Sequence, residues 1–258
     1  MKQRVWDGYE LHFERLTSPE VGDALSRGWT SVVFACGAVE QHGPHIAMSM
    51  DASHGTALAE AVARKLGRTL VAPTIRVGCS EHHMSFPGTL SLRKTTFQAT
   101  VADYVWSLAR HGFERILILP THGGNFGPLK ELLPRLRDVA GRNVEVRGAV
   151  DLHGLMEVWT RVAEEEFGLG ARVGGHADVA EGSIMMALYP DRVRPDRMVA
   201  GRVGPLEPEV VERLMREGMA AVSANGILGD PHGMNPALGR LLVDALAEQL
   251  AEQFGRGG

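Results

Sequence analysis

The chain has 258 residues, 44% hydrophobic and 22% charged, with a formal net charge of -4. These proportions suit a globular protein with a full core, and they exclude the basic excess expected of a nucleic-acid binder. The longest apolar runs, such as Ile116 to Pro120, are too short to span a bilayer, and Met1 to Glu10 lacks the apolar stretch of a signal peptide, so a cytoplasmic protein is expected.

In chain order, strands and helices alternate. Ser31 to Cys36 is a short apolar run with β-branched residues, ended by Gly37, and reads as a buried strand. Ala52 to Leu66 has apolar residues at helical spacing and stops at Gly67. Thr69 to Ala72 reads as a second strand, stopped by Pro73. Thr95 to Arg110 is an amphipathic helix. Arg115 to Leu119 is the clearest strand, again stopped by a proline. Asn125 is a candidate cap for a helix from Phe126 to Val139. Val144 to Val150 is a further strand. Helices follow near Leu155 to Phe167, Val179 to Leu188, Glu207 to Ala224 and Pro236 to Phe254. This alternation predicts one α/β domain over residues 1–258, with a mostly parallel sheet. The two cysteines, Cys36 and Cys79, are expected as reduced thiols.

Ligands of such sheets bind outside the carboxyl ends of the strands. Three polar, histidine-containing segments leave that edge. They are Gly37-Ala-Val-Glu-Gln-His-Gly-Pro-His45, Thr121-His-Gly-Gly-Asn125 and Asp151-Leu-His-Gly154. Glu40 and His42 are two apart in extended chain, so both side chains can reach one point. Asp51 precedes the first long helix, where a carboxylate can bridge two cations or simply cap the helix. Carboxylate oxygen with neutral imidazole suits Zn²⁺, Mn²⁺ or Fe²⁺. His122 precedes two glycines; the turn lacks the spacing of a dinucleotide or phosphate loop. Asp178 and Glu181 fit a variant capping box, which leaves His176 outside the helix unexplained. Asp151 and His153 are candidates for orienting a ligand histidine. His12, His54 and His111 read as structural or surface residues.

These residues resemble the creatininase (creatinine amidohydrolase) family. The resemblance rests on Glu40-Gln-His-Gly-Pro-His45 with Asp51, on Glu81-His-His-Met-Ser-Phe-Pro-Gly-Thr89, and on His122-Gly-Gly-Asn125. It extends to His176 with Glu181-Gly-Ser183 and to Gly226-Ile-Leu-Gly-Asp-Pro-His-Gly233. It implies a three-layer α/β/α fold and two divalent metal ions per chain, zinc before manganese or iron. Glu40, Asp51 and His122 would hold one metal, and His42, Asp51 and Glu181 the other, with Asp51 bridging. His176 matches the family's proton-handling histidine. A homo-oligomer, often a hexamer, is implied too.

The implied activity is hydrolysis of a non-peptide C–N bond in a small cyclic or linear amide. Branches that act on formamides or on a small peptide are alternatives, as is a catalytically silent metal binder on the same fold. Creatininases carry tyrosine and glutamate where Gly123 and Gly124 stand, and Trp-Asp where Arg172 and Val173 stand. The missing glutamate predicts a weaker or more open first metal position, and creatinine itself becomes a doubtful substrate. Glu81, His82, Gly123 and Arg172 are the candidates for substrate contact.

Overall fold

The computed structural model describes residues 10–255, so most of the charged N-terminal stretch read against a signal peptide lies outside the described residues. In chain order the elements are α1 (Ser18–Ser26), β1 (Ser31–Cys36), α2 (Met50–Leu66), β2 (Thr69–Val71), α3 (Lys94–Arg110) and β3 (Arg115–Pro120). Then come α4 (Gly123–Ala140), β4 (Glu145–Gly148), α5 (Leu152–Phe167), β5 (Val173–His176) and α6 (Val179–Leu188). The last are α7 (Pro208–Glu217), α8 (Met219–Val222), β6 (Leu228–Gly229) and α9 (Pro236–Gly255).

Four strands form a parallel sheet in the order β2-β1-β3-β4, and β5 and β6 pair separately and antiparallel. β1 and β3 run level, from Ser31 beside Arg115 to Cys36 beside Pro120. The segments that leave their carboxyl ends therefore emerge side by side. Alternate residues of β1 face opposite layers. The Phe34 ring lies 5.3 Å from Tyr104 on α3. Ala35 points the other way, against Gly55 of α2, where an added Cβ would come within 2.8 Å of it. Helices thus cover both faces, which is the expected α/β/α layering. Helix α9 extends the α2 layer by packing on α2, α5 and α6. Both faces of β1 and β3 are buried, and each large apolar side chain there contributes about 1.5–3 kcal/mol of transfer free energy. Among the described residues, no helix is long and apolar enough to cross a membrane.

Several boundaries depart from the sequence reading, each for a local reason. Asn125 caps nothing. Helix α4 begins at Gly123, and Asn125 is buried inside it. Its amide instead donates to the Cys36 and Gly37 carbonyls, and its oxygen accepts from the Cys79 amide. The Asn125 side chain thus ties three segments at the carboxyl edge together. β4 is shorter than Val144 to Val150, because the Val150 amide turns back to the Gly148 carbonyl. α5 starts three residues early, at Leu152, because Asp151 caps it through the Gly154 amide. The stretch from Glu207 to Ala224 breaks at Gly218, whose φ of 89° no helix tolerates. Both cysteines are free thiols.

Candidate metal centre

The carboxyl edge of the sheet gathers the acidic and histidine side chains into one buried cluster. Glu40 and His42 leave β1 in extended chain and are fully buried. Asp51 is not the helix cap: Ser49 holds that position, and Asp51 sits in the first turn of α2 with its carboxylate directed at the cluster. His122 sits just before α4, and its backbone forms that helix's N-cap. β5 and α6 bring His176 and Glu181 from the other side.

Ligand-type atoms of Glu40, Asp51 and His122 lie within 4.8 Å of one another, as do those of His42, Asp51 and Glu181. Asp51 belongs to both groups. A third overlapping group joins Glu40, His42 and His176. The contacts are His122 Nδ1 to Glu40 Oε1 at 3.2 Å and to Asp51 Oδ2 at 3.8 Å. His42 Nε2 lies 3.6 Å from Asp51 Oδ1 and 3.4 Å from Glu181 Oε2. The spacings are those of atoms facing a common point rather than of good hydrogen bonds. Both Glu40 oxygens, His42 Nε2 and Asp51 Oδ2 are buried and accept or donate no hydrogen bond. Burying such groups unmatched is costly, and divalent cations are the chemistry that satisfies them.

Each histidine is oriented from behind. His42 Nδ1 donates to the Glu40 carbonyl (3.1 Å), His122 Nε2 to the Cys79 carbonyl (2.9 Å), and His176 Nε2 to the Gln41 carbonyl (2.8 Å). A carbonyl accepts only, so each bond keeps a proton on that nitrogen and turns the ring's other nitrogen toward the cluster. His176 Nδ1 lies 3.7 Å from Glu40 Oε1 and 4.0 Å from Glu181 Oε2.

Electrostatics follow from three carboxylates in a buried space. Burial opposes charge on His42, but Asp51 and Glu181 outweigh it and lift the ring to about 10. His122 is lifted to about 9 against burial, chiefly by Glu40. Burial raises Glu181 to about 8, with His42 opposing and Asp51 adding to the rise. Burial, then His42 and His83, push His176 well below its ordinary value, so its ring is neutral at pH 7. Cations entering the cluster displace protons from His42 and His122.

The backbone around His176 is built for this placement. Ala177 adopts φ 53°, a left-handed conformation rarely held by a residue with a side chain. The Glu181 carboxylate accepts from the Ala177 amide at 2.5 Å while still facing His42. Capping and cluster membership thus coexist in Glu181. Asp178 accepts from four backbone amides, those of Gly174, Gly175, Ala180 and Glu181. Asp178→Ala is expected to lower stability by about 3 kcal/mol, combining a lost cap with stranded buried donors. Thermal unfolding checks this, and Asp178→Asn should retain part of the loss.

The candidates for substrate contact separate. Gly123 lines the cavity beside the cluster, whereas Glu81 is exposed and absent from its walls. Arg172 is turned away, donating to the His232 carbonyl at 2.7 Å and pairing with Asp230 at 3.3 Å. His82 stacks on His122, centroids 5.5 Å apart. Asp151 and His153 are exposed and far from orienting any ligand: Asp151 caps α5, and His153 pairs with Glu157. The position at Gly124 is not open. An added Cβ there would meet the Cys79 carbonyl at 2.1 Å, His122 Nε2 at 2.6 Å and His82 at 2.9 Å. No side chain fits there, because the Cys79 carbonyl and the His82 and His122 rings fill the space.

His83 belongs to the Glu81–Thr89 segment and joins the cluster, although it is not among the candidate site residues. It is buried, its Nε2 lies 3.4 Å from Glu40 Oε1, and its ring packs 4.5 Å from that of His176. Gln41 donates to its Nδ1 at 2.9 Å. Adjacent histidines in a loop give no sequence signal for which one turns inward.

One histidine outside the cluster sets an acid limit. Burial holds His54 down at about 4, so it stays neutral while the unfolded chain protonates near 6.5. Between those values the unfolded state binds more protons, and stability falls as pH falls. Acidification from pH 7 to 5 is expected to cost about 2 kcal/mol through this ring. Unfolding midpoints at the two pH values should fall further apart for the native chain than for His54→Phe.

Comparison with known proteins agrees with this geometry. Residues 14–254 match the family described as Creatininase: creatinine amidohydrolase. The chain is 30% identical over 240 residues to the mycofactocin precursor peptide peptidase of Mycobacterium ulcerans (strain Agy99), covering 90% of this chain and 87% of that one. It is 30% identical over 257 residues to the creatinine amidohydrolase of Pseudomonas putida, covering 93% and 95%. A solved creatininase variant of Zn–Zn type superposes with a TM-score of 0.77 at 27% identity, covering 95% of this chain and 97% of that one.

Proposed function

The chain belongs to the creatininase family and is a metal-dependent amidohydrolase, and from that premise we propose that residues 1–258 form one catalytic domain hydrolysing a small amide at a two-metal centre. Glu40, Asp51 and His122 would hold one divalent ion, and His42, Asp51 and Glu181 the other. Zinc is the first choice, given the Zn–Zn creatininase, with manganese or iron also suited to these donors. The observation that carries the reading is the pair of ligand groups sharing Asp51, with each imidazole tied from behind to a backbone carbonyl. A homo-oligomeric, cytoplasmic enzyme is part of the proposal.

The ions supply Lewis acidity and a water of lowered pKa. The chain's own part is positioning and proton handling. His176 Nε2–H is committed to the Gln41 carbonyl, so Nδ1 is the nitrogen that moves a proton. It accepts one from the attacking water and returns it to the departing nitrogen. The C–N bond breaks, hydroxyl joins the acyl carbon, and hydrogen joins the amine. Gly123, at the cavity wall, leaves room for substrate to approach.

A second reading, cleavage of a small peptide, is favoured by the likeness to the mycofactocin precursor peptide peptidase. The test is a panel of lactams, formamides, creatinine and short peptides, assayed with zinc-, manganese- or iron-loaded protein. Metal-dependent turnover of any member supports hydrolysis, and the member turned over chooses the branch. A fully loaded protein that turns over none of them contradicts the proposal and leaves a silent metal binder.

A further inference from the structure

The cavity that contains the metal-cluster residues Asp51, His122, His176 and Glu181 does not end at them. It continues between α2, α4, α5 and α9 as a chamber walled by His54, Leu58, Phe126, Trp159, Leu246 and Leu250. The whole cavity, its metal-cluster end included, measures about 150 Å³, which bounds the chamber from above. An engineered apolar cavity of about that size in another protein binds benzene. The inner part of this one is apolar apart from two rings. His54 is 2% exposed and Trp159 8%, with ring centroids 5.6 Å apart. Neither nitrogen of His54 nor the Trp159 indole nitrogen has a hydrogen-bond partner. Ordinary core packing does not explain this, because stranded buried polar atoms are costly. His54 also stands three residues after Asp51 on α2, so one helix face carries both the cluster carboxylate and the chamber imidazole.

We propose that this chamber seats an apolar substituent of the amide substrate, up to about the size of a benzene ring, which carries one hydroxyl or comparable polar atom for His54 and Trp159. The proposal rests on the hydrolytic reading above, because it is continuity with the metal cluster that makes the occupant a substrate group. A neutral imidazole offers one donor and one acceptor, and the indole offers one donor. A hydroxyl can meet both kinds. Creatinine, small and apolar only at its methyl and methylene carbons, would leave most of the chamber's apolar wall without a partner.

The test uses zinc-loaded native protein and two probes, benzene and phenol, titrated by calorimetry. Both should bind saturably, and phenol about tenfold more tightly, the worth of one net hydrogen bond. His54→Phe should bring the two affinities together while benzene binding persists. Ala149→Leu, which narrows the same cavity, should weaken both probes. Failure of the native protein to bind either probe overturns the proposal. So does equal affinity for the two, or a preference that survives His54→Phe and therefore reports phenol at the metal centre. If a variant does not fold, the native comparison still decides. Probe binding needs no turnover, so a negative amide panel with positive probe binding sinks the hydrolytic reading and keeps the pocket. A positive panel without probe binding does the reverse.

Discussion

Asp51→Asn is expected to lower amide hydrolysis at least about a thousandfold, the loss that follows when about 4 kcal/mol of metal-supplied transition-state stabilisation disappears. Asp51 is the only residue common to both groups built on the second-metal partners His42 and Glu181 and the first-metal partners Glu40 and His122. The amide keeps the size and one oxygen but removes the charge, and Oδ1 and Oδ2 face different histidines at 3.6 and 3.8 Å. The substitution therefore strikes both positions at once. Glu181→Gln reaches only the second group and should cost less. Metal content separates the explanations. Asp51→Asn should retain about one equivalent or less at equilibrium with micromolar zinc. Unchanged content with the same loss of rate would place Asp51 in the chemistry without a bridging role.

His176→Ala is expected to cut turnover about a hundredfold or more, the typical worth of positioned proton transfer, with metal content unchanged. The argument is geometric. His176 Nε2–H is held by the Gln41 carbonyl, and Nδ1 faces the cluster at 3.7 Å from Glu40 and 4.0 Å from Glu181. Its ring lies 4.3 Å from that of His42, tilted by 41°. That placement allows a competing role, since Glu40, His42 and His176 also form a possible ligand set. Metal analysis of the variant decides between them. Full metal with slow turnover means proton handling, whereas loss of metal makes His176 a ligand.

Much of the fold was legible because the strongest local signals are also tertiary facts. The apolar runs at Ser31–Cys36 and Arg115–Pro120 are buried on both faces, so their hydrophobicity is continuous and their ends are cut by Gly37 and by Pro120 itself. The α/β/α expectation follows from that alternation. Boundaries failed where a side chain was recruited at long range. Asn125 reads as a cap locally, yet its amide is used 88 and 89 residues away at Gly37 and Cys36. Spacing and the shared sheet edge point to Glu40, His42, Asp51 and His122 as neighbours, whereas His176 and Glu181 join them only through the family resemblance, because they reach the cluster from the separate β5–α6 segment. The rest depended on orientation. Arg172 is satisfied by Asp230 and His232, and His83 rather than Glu81 turns inward. Gly124 reads as an opening in sequence and is a tight contact in space, because the Cys79 carbonyl, 45 residues earlier, presses against it. No local pattern carries those three facts.

The central claim is a bridged pair of metals, and metal stoichiometry tests it most directly. Protein stripped by chelation at low pH and reloaded with zinc, then dialysed against micromolar zinc, should hold two equivalents per chain. Activity should return only as the second equivalent binds. One equivalent per chain with full activity would contradict the account and leave Asp51 serving a single ion.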